Sequence, residues 1–492
     1  MKIWVEAEWH MESIWSEEVT IPPHKELIGG LNTQVAVIGA GMAGMLTAFF
    51  LSRHGYDVIV LEADRIAGGQ TKHTTAKITG QHGLIYDKLI RNCGMEKARL
   101  YAEANESAIR EYQKIIEEKN IECDFQRLPS FLYSEKHAEP LMAEADAAAG
   151  LGIKAYFTKK NKLPFPTAGA VCFEDQAQFH PLKFIRAVGE GLTVFEHSRV
   201  ISVKQHVIYT ERGTVTAENI VFATHYPFIN VPGFYFIRQH QQRSYVLALS
   251  GAGKLDGMYY GTDKDGLSFR NSGDILLLGG GAHRTGENRE GGSYEMLRTR
   301  AQILYPNAEE IAHWSAQDCM PHDEIPFIGR YSKFRPYWYI ATGFKKWGMT
   351  SSMISAMLIS DLILEKENKY AGLFKPQRFY FRASMKNLWK DFGKSTKGLV
   401  KGSFHFPFSS VKNLSEGHGG IVRIGMKRYG VYKDGEGIVH QISAKCPHMG
   451  CELEWNPDEL SWDCPCHGSR FDCDGNLMDN PAQMNKHCTE QS

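Results

Sequence analysis

The sequence predicts a doubly wound α/β domain followed by a small all-β domain. Near the N-terminus, the apolar run 33–38 leads into a glycine-rich turn and then into a helical stretch that reaches about His54, which is the order of a strand, a turn and a helix. Near the C-terminus, short apolar and β-branched runs at 420–424, 429–432 and 437–442 alternate with glycine turns, which is typical of a small antiparallel domain.

Length and charge limit the possible functions. The chain has 492 residues, of which 43% are hydrophobic, enough for roughly three domain-sized units with sizeable cores. Lysine plus arginine equals aspartate plus glutamate, 56 each, so the formal net charge is zero. A neutral chain argues against nucleic acid or an acidic membrane as the main partner. The uncharged run 35–52 is interrupted by Gly39, Gly41 and Gly44, so we expect no membrane span there.

Cysteine usage predicts a cytoplasmic protein. Cys93, Cys123, Cys172 and Cys319 are dispersed along the chain, as in cytosolic enzymes rather than in secreted disulfide scaffolds. The first residues lack the positively charged start, the apolar stretch and the small-residue cleavage site of a signal peptide. We therefore expect a cytoplasmic enzyme without an export signal.

The glycine-rich turn has the pattern of a dinucleotide site. Gly39, Gly41 and Gly44 form GxGxxG between the first predicted strand and a second one at 57–61. Glycines let the backbone turn tightly and approach a pyrophosphate, which rests on the helix N-terminus. Glu62 follows the second strand, where a carboxylate can accept hydrogen bonds from a ribose hydroxyl. A tight turn without a ligand is the alternative, and the pattern alone does not separate FAD from NAD.

Two clusters of cysteine and histidine near the C-terminus predict redox chemistry. Cys446 and His448 form the first cluster, and Cys464 and His467 form the second. Two thiolates on one iron and two imidazoles on the other are the ligands of a Rieske [2Fe-2S] centre, which carries one electron at a time. The same residue types could bind a single zinc ion tetrahedrally. A visible absorption spectrum separates the two possibilities, because a zinc protein is colourless.

Taken together, these motifs resemble FAD-dependent oxidoreductases of the D-amino-acid oxidase (glycine oxidase) type that carry a Rieske domain at the C-terminus. The resemblance is carried by residues 35–62, 73–83, 314–329 and 446–471. It implies a doubly wound FAD-binding domain with an antiparallel substrate-binding sheet, followed by a small all-β Rieske domain. It also implies FAD and a [2Fe-2S] cluster as cofactors.

The resemblance further implies domain boundaries. The oxidoreductase domain is expected over residues 1–364, a linker over 365–402 and the Rieske domain over 403–492. Within the first domain, FAD-binding segments are expected at about 31–95, 170–228 and 315–364, and substrate-binding segments at about 96–169 and 229–314. The linker is rich in lysine and aromatic residues, so we expect it to dock rather than to act as a loose tether.

Further FAD-binding residues follow from the same resemblance. The loop 66–76 is similar to the segment by which these flavoenzymes pass the ribityl chain and the flavin ring, although Lys72 stands where glycine is usual. A predicted helix at 351–364 would direct its N-terminus at the flavin pyrimidine and favour negative charge there. The expected FAD-binding residues are Gly39, Gly41, Gly44, Glu62, Gly69, Thr71, Thr74, Val200, Thr342, Gly343, Gly348 and Met349.

The cluster region resembles the Rieske domains of respiratory complexes. That resemblance implies a disulfide between Cys451 and Cys466 that ties the two loops together, and a hydrogen bond from the Ser469 hydroxyl to a cluster sulfide. Phe471 stands where many relatives of high potential have tyrosine. Loss of that hydroxyl removes a hydrogen bond that stabilises the reduced cluster, so we expect a lower reduction potential.

One departure from the family concerns the substrate. In amino-acid oxidases of this type, an arginine that binds the substrate carboxylate precedes a Pro-Asp-Gly-x-Pro turn. Counting back from Asp323 and Pro326 places Asp318 at the position of that arginine. Because an anion cannot hold a carboxylate, we expect a substrate other than a simple α-amino acid, with Asp318 near an amine or another cation. A structural cap beside the turn is the alternative for Asp318.

Five other residues are candidates for roles at the substrate or the flavin. Arg270 could supply a carboxylate clamp in place of the missing arginine. His82 and His225 lie on stretches expected to pass near the flavin and could transfer protons near neutral pH, although a structural role is open for each. Lys345 and Lys346 could add positive charge beside the flavin or lie on the surface.

These features predict an FAD-dependent dehydrogenase. A small organic substrate, such as an amine, would give a hydride to FAD, and electrons would pass singly through the cluster to or from an unidentified electron-transfer partner. A Rieske oxygenase would need a second iron held by two histidines and a carboxylate, and none of the 20 histidines forms the closely spaced pair used there. A non-catalytic electron carrier or redox sensor is the remaining alternative.

Overall fold

The structure is a computed structural model that describes residues 12–378 and 411–486. The described α-helices are α1 (Ile14–Glu18), α2 (Met42–Arg53), α3 (Tyr86–Cys93), α4 (Met95–Glu118), α5 (Glu139–Gly150), α6 (Pro181–Gly189), α7 (Ser293–Leu304), α8 (Gly348–Ile363) and α9 (Ala371–Phe374). Short 3-10 helices lie at Tyr235–Ile237 and Val411–Asn413.

The strands follow the chain in this order. The first twelve are β1 (Gly29–Ile38), β2 (Val58–Leu61), β3 (Lys77–Ile78), β4 (Gln126–Ser134), β5 (Ala155–Thr158), β6 (Gly169–Gln178), β7 (Thr193–Phe195), β8 (Val200–Lys204), β9 (Val207–Thr210), β10 (Gly213–Phe222), β11 (Gln239–Ser250) and β12 (Met258–Gly261). The others are β13 (Ser268–Ser272), β14 (Ile275–Arg284), β15 (Glu309–Pro321), β16 (Phe327–Ser332), β17 (Arg335–Thr342), β18 (His418–Ile424), β19 (Lys427–Lys433), β20 (Val439–Ser443), β21 (Glu454–Asn456), β22 (Ser461–Asp463), β23 (Arg470–Phe471) and β24 (Leu477–Asp479).

The first sheet has a parallel centre. Its strands run in the order β16-β17-β10-β1-β2-β7, with β9 added beside β10 and β8 beside β9. The pairs β17–β10, β10–β1, β1–β2 and β2–β7 are parallel, so their carboxyl ends meet at one edge of the sheet. Helices α2 and α8 pack against each other over this sheet, and their apolar residues join its core. This is the predicted doubly wound arrangement.

The second sheet is largely antiparallel, as predicted. Its order is β15-β11-β14-β13-β12-β4-β6-β3, with β5 beside β6, and the pair β12–β4 is parallel. Three strands that the sequence analysis grouped with the FAD-binding segments belong to this sheet. They are β3, β6 and the part of β15 from residue 315 onwards. Strand periodicity cannot reveal this, because it does not specify the pairing partner.

The C-terminal domain consists of two small sheets within the described residues. Strands β18-β19-β20 form one antiparallel sheet, and β21-β22-β23-β24 form the other. Their shared core contains Trp455, Trp462 and Phe471. Four cysteines also belong to it: Cys446, Cys451, Cys464 and Cys466. The all-β prediction is therefore confirmed, and the cysteine loops lie at the edge of a packed core.

The expected linker is described only in part. Residues 365–378 pack on the first domain, where Phe374 is buried and Arg378 forms an ion pair with Asp323 at 2.7 Å. The rest of the expected linker, 379–402, lies outside the described residues. Within the described ranges, none of the helices combines the length and apolar character that crossing a bilayer requires.

Candidate functional site

A crevice opens at the carboxyl ends of the parallel strands in the first sheet. The turn after β1, the end of β2, the loop 68–74 and the start of α8 form its walls. Several of the residues predicted to bind FAD line it: Gly39, Gly41, Glu62, Gly69, Thr71, Thr74, Val200, Gly348 and Met349. Ligands of open α/β sheets bind outside the carboxyl ends of the strands, so the position is suitable for a dinucleotide.

The three glycines of the turn have different roles. Gly39 has φ +103°, and a Cβ there would lie 2.5 Å from the Ala223 carbonyl oxygen. A Cβ at Gly44 would lie 1.9 Å from the carbonyl oxygen of Gly39. At Gly41, by contrast, a Cβ would meet only the Thr71 hydroxyl, at 3.3 Å. The outer glycines therefore permit tight packing of helix and strand, and the middle one leaves room for a ligand in the crevice.

Glu62 closes the nucleotide end of the crevice. One carboxylate oxygen accepts the Ala40 N–H at 2.7 Å, and the other accepts the Asp64 N–H at 3.0 Å. Burial raises the pKa of Glu62 above its ordinary value. A fixed carboxylate after the second strand and a glycine turn at a helix N-terminus are the donor and acceptor set that FAD requires.

Thr342 and Gly343 support the crevice from outside its lining. The Thr342 hydroxyl donates to the His225 carbonyl oxygen at 2.6 Å. Gly343 has φ +74°, and a Cβ there would approach Gln239 to 3.1 Å. These two predicted residues therefore shape the turn that leads into α8.

Asp318 lines the crevice, but it is not a lone anion. Its carboxylate lies 3.3 Å from the Lys346 ammonium, and both side chains are largely buried. Burial alone would lower the pKa of Lys346, but Asp318 keeps it above its ordinary value. Lys345 also lines the crevice rather than the surface. The crevice thus offers both signs of charge to a substrate.

Arg270 lies on β13 of the second sheet, but its hydrogen bonds are not those of a substrate clamp. Its guanidinium donates to the Gln178 side chain at 2.8 Å, to the Phe179 carbonyl oxygen at 3.2 Å and to the Thr75 carbonyl oxygen. It also lies 5.1 Å from the Trp15 ring. Because its nitrogens bond the protein itself, Arg270 holds the loop before β3 and is not free to act as the carboxylate clamp considered for it.

His82 is also held by the protein. Its Nδ1 lies 2.6 Å from the Tyr101 hydroxyl, its Nε2 lies 2.8 Å from the Thr79 carbonyl oxygen, and its ring stacks on Trp347. Burial lowers the pKa of His82 to about 3, so the ring is neutral near pH 7, and both of its nitrogens already have protein partners. His225 does line the crevice, and burial lowers its pKa as well.

The four predicted cluster ligands come together at the tips of two loops. The Nδ1 atoms of His448 and His467 face each other at 3.2 Å. Burial lowers the pKa of His448 to about 4 and that of His467 to about 3, so both are in the neutral form that binds metal. The Cys464 thiol donates to Cys446 and lowers its pKa to about 7. Two thiols and two opposed imidazoles fit a Rieske cluster.

The predicted disulfide and Ser469 both lie beside this cage. A disulfide joins Cys451 to Cys466 and ties the two loops together. The Ser469 hydroxyl bonds Cys446 and accepts the Ala482 N–H at 3.0 Å. Ser469 therefore links the cage to the segment that contains Ala482.

The C-terminal domain forms one wall of the flavin crevice. Its lining residues are Met478, Asp479, Asn480 and Gln483. The Asn480 amide donates to the carbonyl oxygens of Thr224 and Tyr226, each at 2.8 Å. The two predicted cofactor sites therefore share a boundary, and no domain movement is needed to bring them together.

Three glutamines connect the flavin loop to the cluster loop. The Gln70 side-chain oxygen accepts the backbone N–H of Gln317 at 2.7 Å. The side-chain amide of Gln317 donates to the side-chain oxygen of Gln241 at 2.6 Å. The side-chain amide of Gln241 donates to the His467 carbonyl oxygen at 2.6 Å. The side-chain amide of Gln317 also donates to the Gly468 carbonyl oxygen at 2.9 Å. Buried amides that bond each other avoid the cost of unsatisfied polar groups.

A buried ion pair joins the two domains near this chain of amides. Arg243 of β11 lies 2.9 Å from Glu459, and their side chains are 3% and 7% exposed. Glu459 also accepts from the Ser315 hydroxyl at 2.5 Å and from the Tyr294 hydroxyl at 2.8 Å. Burial alone would raise the pKa of Glu459, but the adjacent arginines lower it. The domain contact is therefore specific and strongly bonded.

Arg470 extends this network inside the C-terminal domain. It contacts Glu459 at 3.1 Å, Asp463 at 3.0 Å and Asp479 at 3.0 Å. Asp479 in turn lies 3.5 Å from Arg243 and lines the flavin crevice. One network thus fixes the domain contact and the crevice wall.

Asp458 supplies a helix cap across the same contact. Its two carboxylate oxygens accept the N–H groups of Gly292 and Ser293, each at 2.9 Å. These residues begin α7 of the first domain, and Gly292 has no side chain with which to cap the helix. An N-terminal carboxylate typically stabilises a helix by about 1 kcal/mol.

Sequence reasoning missed the residues that form the domain contact. Gln241, Arg243 and Glu459 belong to no motif, and Asn230 lies on a connecting segment between β10 and β11. Asn480, which also takes part in the contact, directly precedes Pro481 in the segment after β24. Contacts between residues more than two hundred positions apart carry no local pattern.

Comparisons with known proteins agree with this architecture. Residues 34–362 match the family described as FAD dependent oxidoreductase, and residues 405–490 match the Rieske [2Fe-2S] domain. A protein of Bacillus subtilis (strain 168), named putative Rieske 2Fe-2S iron-sulfur protein YhfW, is 35% identical over 488 residues, covering 96% of each chain. Gamma-glutamylputrescine oxidoreductase of Escherichia coli (strain K12) is 27% identical over 225 residues, 41% of this chain and 51% of that protein.

Solved structures share the fold of the first domain. Glycine oxidase from Geobacillus kaustophilus superposes with a TM-score of 0.61 at 20% identity, covering 71% of this chain and 99% of that chain. L-amino acid deaminase from Proteus vulgaris superposes with a TM-score of 0.58 at 16% identity, covering 72% of this chain and all of the other. The predicted fold class is confirmed.

The family match covers more than half of the chain, and the Bacillus relative matches nearly all of it. The cofactors are therefore FAD and a [2Fe-2S] cluster, and the prediction of an oxidoreductase is confirmed. The chain belongs to the FAD-dependent oxidoreductase family of the D-amino-acid oxidase type and carries a C-terminal Rieske domain.

Proposed function

We propose that this enzyme oxidises a small organic substrate, with an amine as the expected class, and exchanges the resulting electrons with a separate partner through its Rieske domain. Bound FAD supplies hydride acceptance, and the bound cluster supplies one-electron transfer. The observation that carries the proposal is the shared boundary. Residues 478–483 of the Rieske domain lie on the same crevice as the glycine turn.

The crevice residues support a substrate that carries an amine. Asp318 can accept a hydrogen bond from a substrate ammonium group, and its pairing with Lys346 keeps it oriented. Arg270, the other candidate for a carboxylate clamp, bonds the protein instead. Lys346 can meet an anionic or polar group elsewhere on the substrate. Asp318 is thus the proposed specificity residue.

Oxygenase chemistry has less support. It would need two histidines and a carboxylate around a separate iron. In the part of the chain that the structure describes, the groups of three or more potential metal ligands are Cys451, Cys464 and Cys466, and His440, Cys473 and Asp474. Neither group has that composition, so the Rieske domain is better explained as a partner of the flavin.

Anaerobic mixing of the holoenzyme with a panel of amines and amino acids tests the proposal. We expect an amine to bleach the flavin absorbance, followed by the EPR signal of the reduced cluster. Asp318→Asn should weaken the binding of that amine by about 10- to 100-fold, because a hydrogen bond to a charged group contributes about 1.5–3 kcal/mol.

Asp274→Asn is the matched control. Asp274 has the same side chain and lies beside the same sheet, but it is 92% exposed and pairs with Lys254. Equal amine binding in both variants would remove Asp318 from the site. Failure of every amine to bleach the flavin, with reversible reduction by an artificial donor, would favour an electron carrier or redox sensor instead.

A further inference from the structure

Asn230 of the flavin domain contacts a cluster ligand directly. Its side-chain oxygen lies 2.9 Å from Nε2 of His448. A carboxamide oxygen only accepts hydrogen bonds, so Nε2 carries the proton and donates it. In a neutral imidazole Nδ1 is then unprotonated, and it is this atom that faces Nδ1 of His467 at 3.2 Å. The bond thus selects the tautomer that can ligate iron.

The backbone holds Asn230 in this orientation. The Phe234 N–H donates to the Asn230 carbonyl oxygen at 2.8 Å and closes a turn between β10 and β11. Phe236, two residues further on, places its ring edge-on against His467 with centroids 5.7 Å apart. One short segment of the flavin domain therefore contacts both imidazoles.

We propose that Asn230 is a positioning residue of the Rieske cluster, and that its hydrogen bond to His448 lowers the reduction potential of the cluster. An imidazole bound to the oxidised cluster is more positively polarised than one bound to the reduced cluster, so its N–H is the better donor. The hydrogen bond consequently stabilises the oxidised state more than the reduced state. The flavin domain thereby adjusts the electron affinity of the cluster attached to it.

The proposal is independent of the substrate. It depends on the cluster and on one contact, so it can fail while amine oxidation stands, and it can hold if no amine is turned over. It also differs from a docking role. Asn480 and Asn288 cross the same domain contact, but they bond backbone carbonyls or remote side chains and not an iron ligand.

The test compares three variants of the full-length holoenzyme in a redox titration at one fixed pH, followed by circular dichroism and EPR. Asn230→Leu removes the acceptor and should shift the potential upwards. Asn230→Asp replaces it with a charged acceptor and should shift the potential downwards. Both should alter the EPR spectrum of the reduced cluster, since the electron density on one imidazole changes.

Asn288→Leu is the control for loosened docking. Its amide donates to Asp458 at 2.9 Å and to Asn456 at 3.1 Å, across the same contact but without touching a ligand. We expect this variant to keep the potential and EPR spectrum of the parent protein. The proposal is overturned if Asn230→Asp does not lower the potential, or if Asn230→Leu changes it no more than Asn288→Leu does.

Discussion

The two cofactor sites draw on the chain in different ways. The predicted cluster ligands lie between residues 446 and 467, in two loops joined by a disulfide. The residues that line the flavin crevice come from positions 38 to 483, and the last of them belong to the Rieske domain. The cluster cage is thus local to one domain, whereas the flavin crevice is completed only when both domains are in contact.

The two sites should therefore respond differently to substitutions. A change in the ion pairs of the domain contact should disturb the flavin crevice and leave the four cluster ligands in place. A change inside the cage should remove the cluster and leave FAD bound. Variants that separate or merge these two outcomes therefore test the comparison.

The largest effect is expected for Glu459→Ala. This change removes the closer of the two carboxylates that pair with the buried Arg243, and breaking a buried pair costs about 3–5 kcal/mol. We expect weaker FAD retention and faster proteolysis between the domains, with the cluster spectrum kept. The flavin content of the purified protein measures FAD retention, and limited proteolysis measures the rate of cleavage.

Glu454→Ala is the matched control for that change. Glu454 pairs with Arg289 across the same contact, but Arg289 is 43% exposed, and such pairs contribute about 0–1 kcal/mol. If the two variants lose FAD equally, or if Glu459→Ala loses the cluster first, the cage is not local.

The double change Cys451→Ser with Cys466→Ser should produce the opposite pattern. The disulfide spans a sequence separation of 15 residues, and closing a loop of that size contributes about 3 kcal/mol. We expect faster loss of iron in mild denaturant while FAD stays bound. Cys473→Ser, a free cysteine of the same domain, should release iron at the parent rate. Parallel loss of FAD in the double variant would contradict the separation of the two sites.

Gln241→Leu should affect both sites moderately. It removes the donor to the His467 carbonyl oxygen and the acceptor of Gln317, at a cost of about 1–3 kcal/mol. We expect a lower unfolding temperature and slower equilibration of electrons between flavin and cluster, measured by stopped-flow absorbance. Gln113→Leu, which changes a partly exposed glutamine of α4, provides the reference. An unchanged electron-transfer rate would show that the amide chain does not set the distance between the sites.

The smallest effect is expected inside the cage. Phe471 is fully buried beside Cys446 and Cys464, and Phe471→Tyr would add a hydroxyl whose hydrogen bond favours the reduced cluster by about 0.5–1.5 kcal/mol. A redox titration should show a higher potential with FAD binding unchanged. No rise in potential would argue against the sequence interpretation of Phe471.

Features specified by residues close together in sequence could be predicted, whereas contacts between distant residues could not. The glycine turn, Glu62 and the cysteine–histidine loops were recognisable because backbone conformation and metal ligation demand particular residue types at short spacings. Arg270 and His82 were assigned to the reaction because their residue types suit it. Arg270 instead bonds the Phe179 carbonyl oxygen, and His82 bonds the Tyr101 hydroxyl, contacts between distant parts of the chain that no local pattern reveals.

By itself, the sequence determined the fold class, the two cofactors and the loops that surround the cluster. Only the tertiary structure decided that the cage contacts Asn230 and that residues 478–483 close the flavin crevice. The physical reason is the range of the interactions. A turn or a metal site is specified by neighbours in sequence, whereas the pairing of Arg243 with Glu459 depends on two domains being folded and packed together.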